Sequence, residues 1–143
     1  MRNRAEFFLV WLLRVNGVAM VCAVFAVFMP ASMMAAIHRE WLGLGELPMG
    51  PVVEYLARSV SAFYVLFGAL HFVAAADVRG RAFLVRFIAL ATIILGAAFV
   101  GIAIFAGLPW WWVVGEGAAT VMMGAAILGL YLAAGVGKPE RED

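Results

Sequence analysis

Four long apolar runs, at residues 7–29, 53–76, 83–106 and 111–134, are separated by short polar segments. A helix crossing a hydrocarbon core of about 30 Å needs about 20 apolar residues, so each run predicts a membrane-spanning helix. None of the runs alternates with the period of a strand, and an open sheet edge finds no hydrogen-bond partners in lipid. The pattern therefore predicts an all-α fold, an integral membrane four-helix bundle that forms one membrane domain over residues 1–143. The first run is about twice as long as the apolar core of a signal peptide and no A-x-A site follows it, so it reads as a retained span.

The connections differ in kind. VRGR (78–81) is a tight turn centred on Gly80 and predicts an antiparallel hairpin. AGLPWWW (106–112) is a Gly/Pro turn that ends in Trp110, Trp111 and Trp112. Tryptophan favours the headgroup region, which makes the triplet, with Trp41, a set of interface anchors; an aromatic-ligand site is the other reading. In SMMAAIHREWLGL (32–44), Met33, Met34, Ile37, Trp41 and Leu44 recur at helical spacing, while His38, Arg39 and Glu40 face away from much of that stripe. This predicts a short interfacial helix in the first outer loop.

Charge patterning adds an orientation. Arg2, Arg4, Arg79, Arg81, Arg86, Lys138 and Arg141 fall on one side of the spans and Arg39 alone on the other. Cationic loops stay cytoplasmic, so both termini are expected in the cytoplasm of a bacterial cell, with the protein in the inner membrane. Composition agrees with that class: 66% of residues are hydrophobic, against about 45–50% in soluble domains. The net charge of +1 offers no basic surface, so nucleic acid is not an expected partner. The one cysteine, Cys22, can form neither an intrachain disulfide nor a CxxC pair, which argues against thiol-based redox chemistry.

The second span poses the question of function. VVEYLARSVSAFYVLFGALHF (52–72) carries Glu54, Arg58 and His71 inside an apolar run. On a helical wheel, Glu54, Arg58, Ser61, Tyr64, Gly68, His71 and Ala75 form one stripe, and Val60, Phe63, Phe67 and Leu70 lie on the largely apolar remainder. The stripe should face other helices. At 1.5 Å per residue, Arg58 and Glu116 both lie roughly 8 Å inside the outer edge. An isolated charge at the helix centre costs about 2.5–3.5 kcal/mol, so Arg58 and Glu116 are expected to pair, with Glu54 as a second acceptor. A second, inner group comprises Arg14, Asn16 and His71, with Asp77 the nearest acid if Arg14 snorkels.

Three readings of these charges stay open: ionic glue between helices, a pocket for a lipid or quinone near Ser61 and Tyr64, and a polar path across the membrane. No Ser/His/Asp set of matching depth, HExxH or P-loop is present, and no metal or other cofactor is expected. His38, Glu40 and Glu46 are better read as a solvated face than as a metal site. Gly96, Ala97, Gly101, Gly117, Ala118, Ala125 and Gly129 favour close helix packing or a dimer interface.

LLRVNG (12–17) resembles the opening of the DoxX-like small membrane proteins. EYLARSVSAFYVLFGALHF (54–72) resembles the second helix of a related uncharacterised group that also carries an acid where Glu116 stands. The resemblance implies the four-helix fold, and some DoxX-like proteins are similar to subunits of quinone-linked sulfur-oxidising or thiol-stress complexes. The expectation is a non-enzymatic accessory or assembly component, held in a larger membrane complex or a homo-oligomer, with a lipid or quinone as its ligand. The alternatives are a DoxX-like subunit of a quinone-linked oxidoreductase and a small solute or proton transporter.

Overall fold

The computed structural model describes residues 3–48 and 50–137. Arg2, Lys138 and Arg141, which contribute to the expected orientation, lie outside the described residues. All regular structure among the described residues is helical. Helix α1, Arg4–Val27, is broken by a turn at Cys22 and Ala23. Helix α2 runs through Ala31–Ala36 and continues with wider i→i+5 turns over Ile37–Trp41. Helices α3 (Pro51–Ala76), α4 (Ala82–Phe105) and α5 (Trp110–Ala133) follow, α5 widening over Val113–Ala118. Four of them, α1, α3, α4 and α5, are long and apolar enough to cross a membrane. The short loop helix is also present, but it stops at Trp41 rather than Leu44; Gly43 and Gly45 then turn with positive φ.

The long helices start one to three residues before the apolar runs do, because their caps are polar or proline. Asn3 Oδ1 accepts the Glu6 N–H at 2.9 Å, which satisfies one of the amides left open at a helix start. Proline opens α3 at Pro51 and precedes α5 at Pro109; its missing N–H costs nothing there. The ends of α4 and α5 share one device. Gly107 (φ 69°) and Gly135 (φ 65°) adopt the left-handed conformation. Leu108 N–H then bonds Ala103 O at 2.9 Å and Val136 N–H bonds Tyr131 O at 3.3 Å, closing the last carbonyls.

Contacts gather in two compact units, residues 1–14 with 71–143, and residues 15–70. The boundaries fall inside α1 and α3. The first unit holds the buried apolar core, including Leu9, Leu13, Val78, Val85, Ile88 and Ile127. Within it α4 and α5 approach to backbone contact. A Cβ built on Gly96 would lie 2.6 Å from Val121 N, one on Gly117 2.9 Å from Val100 N, and one on Gly124 2.8 Å from Ala89 O. The other small residues divide differently. Ala97, Gly101, Ala125 and Gly129 are exposed, and a Cβ on Gly101 or Gly129 meets nothing within 4 Å. In the second unit the close approach is between α1 and α3, where a Gly68 Cβ would lie 2.8 Å from Gly17 O.

Only 17% to 28% of the most apolar window of each long helix is buried. Most helix surface is therefore left for lipid or partners, and Phe25, Phe28, Phe63 and Phe105 are among the exposed side chains.

Candidate functional site

The polar stripe of α3 is the buried face of that helix. Glu54, Arg58, Ser61 and Tyr64 are half-buried, and Gly68, His71 and Ala75 are buried. Val60 and Phe63 are exposed, as an apolar outer side requires, but Phe67 and Leu70 are half-buried. The buried face is thus wider around Phe67 and Leu70 than the wheel predicts.

Within residues 15–70, Arg58 meets the end of α1. Its guanidinium donates to Val27 O at 3.1 Å and to Met29 O at 3.2 Å. Pro30 stops α1, and carbonyls at a helix end lack intrahelical donors. A cation there also faces the negative end of the helix dipole. Glu54 lies 3.6 Å from the same guanidinium, one turn earlier on α3. Both side chains are more than a third exposed, so this contact adds little by itself. Glu116 belongs to the other unit, and its expected pairing with Arg58 remains a proposal. Ser61 donates its hydroxyl to Ala57 O at 2.8 Å, and Tyr64 is engaged by a partner of its own.

The inner group is divided. His71, fully buried and engaged, and Arg14, exposed, belong to one unit, and Asn16, half-buried, to the other. Arg14 has no hydrogen bond or ion pair within its unit among the described residues.

Glu6 is a buried acid that the apolar pattern conceals. Its side chain is 7% exposed, and Arg79 donates to Oε2 from Nε at 3.1 Å and from Nη2 at 2.8 Å. Asn3, besides capping α1, donates from Nδ2 to Ala134 O at 3.4 Å. Asp77 accepts the Gly80 N–H at 2.8 Å and Arg81 donates to Val73 O at 2.7 Å, so the VRGR turn is closed by the aspartate that precedes it and by its own second arginine. The start of α1, this turn and the end of α5 are joined by one polar network. An Asn followed three residues later by Glu is a readable helix-start signal.

Glu116 lies in the widened part of α5, half-buried. It lines a cavity of about 280 Å³ with Trp111, Trp112 and Gly115. The two indole rings stand edge to face, with centroids 5.6 Å apart and planes at 65°. Thr120 donates its hydroxyl to Glu116 O at 2.6 Å. Trp110 and Trp41 are exposed.

In the first loop, Arg39 bonds Glu40 at 2.7 Å and Glu46 at 3.3 Å. The bond to Glu40, then that to Glu46, holds the guanidinium above its ordinary range of ionisation. His38 Nδ1 donates to Gly45 O at 2.9 Å. These side chains close the loop on itself. Among the described residues no group of three His, Cys, Asp or Glu is placed to hold a metal.

The chain matches no protein-family model, and searches of curated proteins and of solved structures likewise return no match.

Proposed function

We propose that the protein is a non-enzymatic accessory or assembly component of a bacterial inner-membrane complex, built as a four-helix bundle with both termini in the cytoplasm and α2 lying on the outer interface. The observation that carries this reading is Arg14. It stands ten residues into α1, roughly 15 Å from the helix start, exposed and without a partner inside its unit among the described residues. A charge at that depth costs about 2.5–3.5 kcal/mol. A carboxylate on a neighbouring subunit removes the cost. Snorkelling toward the inner headgroups is the competing answer, since helical side chains lean toward the N-terminus. The large exposed apolar area of the spans suits either a second copy or a larger partner. A lipid beside Ser61 and Tyr64 fits better than a quinone, because the Ser61 hydroxyl proton is already committed to Ala57.

Mass spectrometry of the gently solubilised native assembly tests the reading. A partner or second copy should accompany the wild-type chain and be lost from Arg14→Leu at unchanged melting temperature. A lone chain in both samples would end the accessory reading. A retained quinone would instead favour the DoxX-like oxidoreductase subunit. The orientation is checked in intact cells with Cys22→Ala as background: an impermeant thiol reagent should label Gly45→Cys and spare Glu140→Cys.

A further inference from the structure

Trp111 and Gly115 are one helical turn apart, as are Trp112 and Glu116, so an aromatic pair and a carboxylate share one side of α5. The widened turn, in which Ala119 N–H bonds Val114 O, is of a kind frequently found at functional sites. A Cβ at Gly115 would meet nothing within 4 Å, so this side of the cavity has room for a ligand or a larger side chain. Among the described residues no cation of its own unit pairs with Glu116. A carboxylate inside a span needs a counter-charge.

From this we infer that the cavity bounded by Trp111, Trp112, Gly115 and Glu116 binds an organic ammonium group, the carboxylate supplying charge and the indoles supplying π-faces. Aromatic faces attract cations, most strongly where water is excluded, and quaternary ammonium groups are bound by such clusters. A bare divalent ion fits poorly, since calcium takes six to eight oxygen ligands and the carboxylate is the single acidic group lining this cavity. The volume of about 280 Å³ is below the range of about 300–1,000 Å³ typical of drug-sized ligands and suits a headgroup-sized cation. The ammonium can belong to a free amine or to the headgroup of an aminophospholipid.

The test uses the full chain in nanodiscs of phosphatidylglycerol, which contains no amine. Tetramethylammonium is titrated at constant ionic strength against sodium, with tryptophan fluorescence as the readout. A saturable change is expected. Glu116→Gln should weaken it by about tenfold or more, and Gly115→Leu, which fills the cavity, should abolish it; melting temperatures show that both variants are folded. A second arm measures lipids retained after extraction from mixed phosphatidylethanolamine and phosphatidylglycerol membranes. Enrichment of phosphatidylethanolamine that depends on Glu116 assigns the site to a lipid headgroup, and saturation without enrichment assigns it to a free amine. No saturable change together with no enrichment overturns the inference, as does an identical response in Glu116→Gln. A response seen only in Arg58→Met also overturns it, because Arg58 would then be the resident cation.

Discussion

Replacing Gly96 with alanine places a methyl group where two helix backbones meet. The added Cβ would stand 2.6 Å from Val121 N, 2.9 Å from Val121 Cγ2 and 3.0 Å from Gly117 O. Two of these three atoms are backbone, so no side-chain rotation relieves the overlap and α4 must move away from α5. Overpacking of this kind costs about 1–3 kcal/mol. Alanine also gains about 1 kcal/mol over glycine in helix propensity, which masks part of the loss. Gly101, on the same helix, provides the correction: its Cβ meets nothing within 4 Å, so Gly101→Ala gains the propensity without the clash. The difference between the two variants isolates the steric cost, about 1–3 kcal/mol, or roughly 2–12 °C at about 2–4 °C per kcal/mol. Thermal melts followed by far-UV circular dichroism in one detergent measure it, with Gly117→Ala and Gly129→Ala as the matching second pair. Equal melting temperatures for Gly96→Ala and Gly101→Ala would refute the close approach of the helices. If the exposed Gly101 stripe is a dimer face, Gly101→Ala should instead change the mass of the particle.

Removing either member of the Glu6–Arg79 pair should have unequal effects. Arg79→Met takes a charged hydrogen-bond partner from a carboxylate that is 7% exposed, with a loss of about 1.5–3 kcal/mol, whereas Glu6→Leu leaves a half-exposed arginine that still reaches polar surroundings and should cost less; denaturation of both variants decides, and equal losses count against the buried acid. Arg58→Lys should lower the melting temperature, because an ammonium lacks the planar fork that serves Val27 O and Met29 O together. Adding Glu116→Leu to Arg58→Met should recover stability if the two pair across units, and strictly additive losses exclude that pair.

The four spans and the buried side of α3 were legible because lipid leaves the backbone one economical solution over 20 apolar residues, and because a stripe at helical spacing marks the face that avoids lipid. Glu54 was legible as a neighbour of Arg58, one turn away; the Val27 and Met29 carbonyls that Arg58 also touches were not. Depth along a helix fixes height but not neighbour, and these groups are backbone carbonyls, which every residue carries alike. The break at Cys22 and Ala23 has no proline or glycine to announce it. Gly96 and Gly101 look equivalent in a helix rich in small residues; only the phase of α4 against α5 separates the packed one from the open one. Glu6 was readable through the Asn3 cap, yet the apolar run around it drew the helix start three residues too late. His38, Glu40 and Glu46 read as a solvated loop face, and their contacts with Arg39 and the Gly45 carbonyl were not legible from spacing.

The bonds that close the inner network have a consequence for synthesis. Glu6 meets Arg79 across 73 positions of sequence and Asn3 meets Ala134 across 131. The amino-terminal turn of α1 is made first, yet its carboxylate meets this arginine only after α3 has been made, and its asparagine meets the last helix later still. Contacts so distant along the chain form slowly, and the partly made protein carries exposed polar and apolar groups that invite wrong pairing. A chain cut short before α5 would lose more than its final helix: Asn3 in the first turn would also lack the Ala134 carbonyl to which it donates.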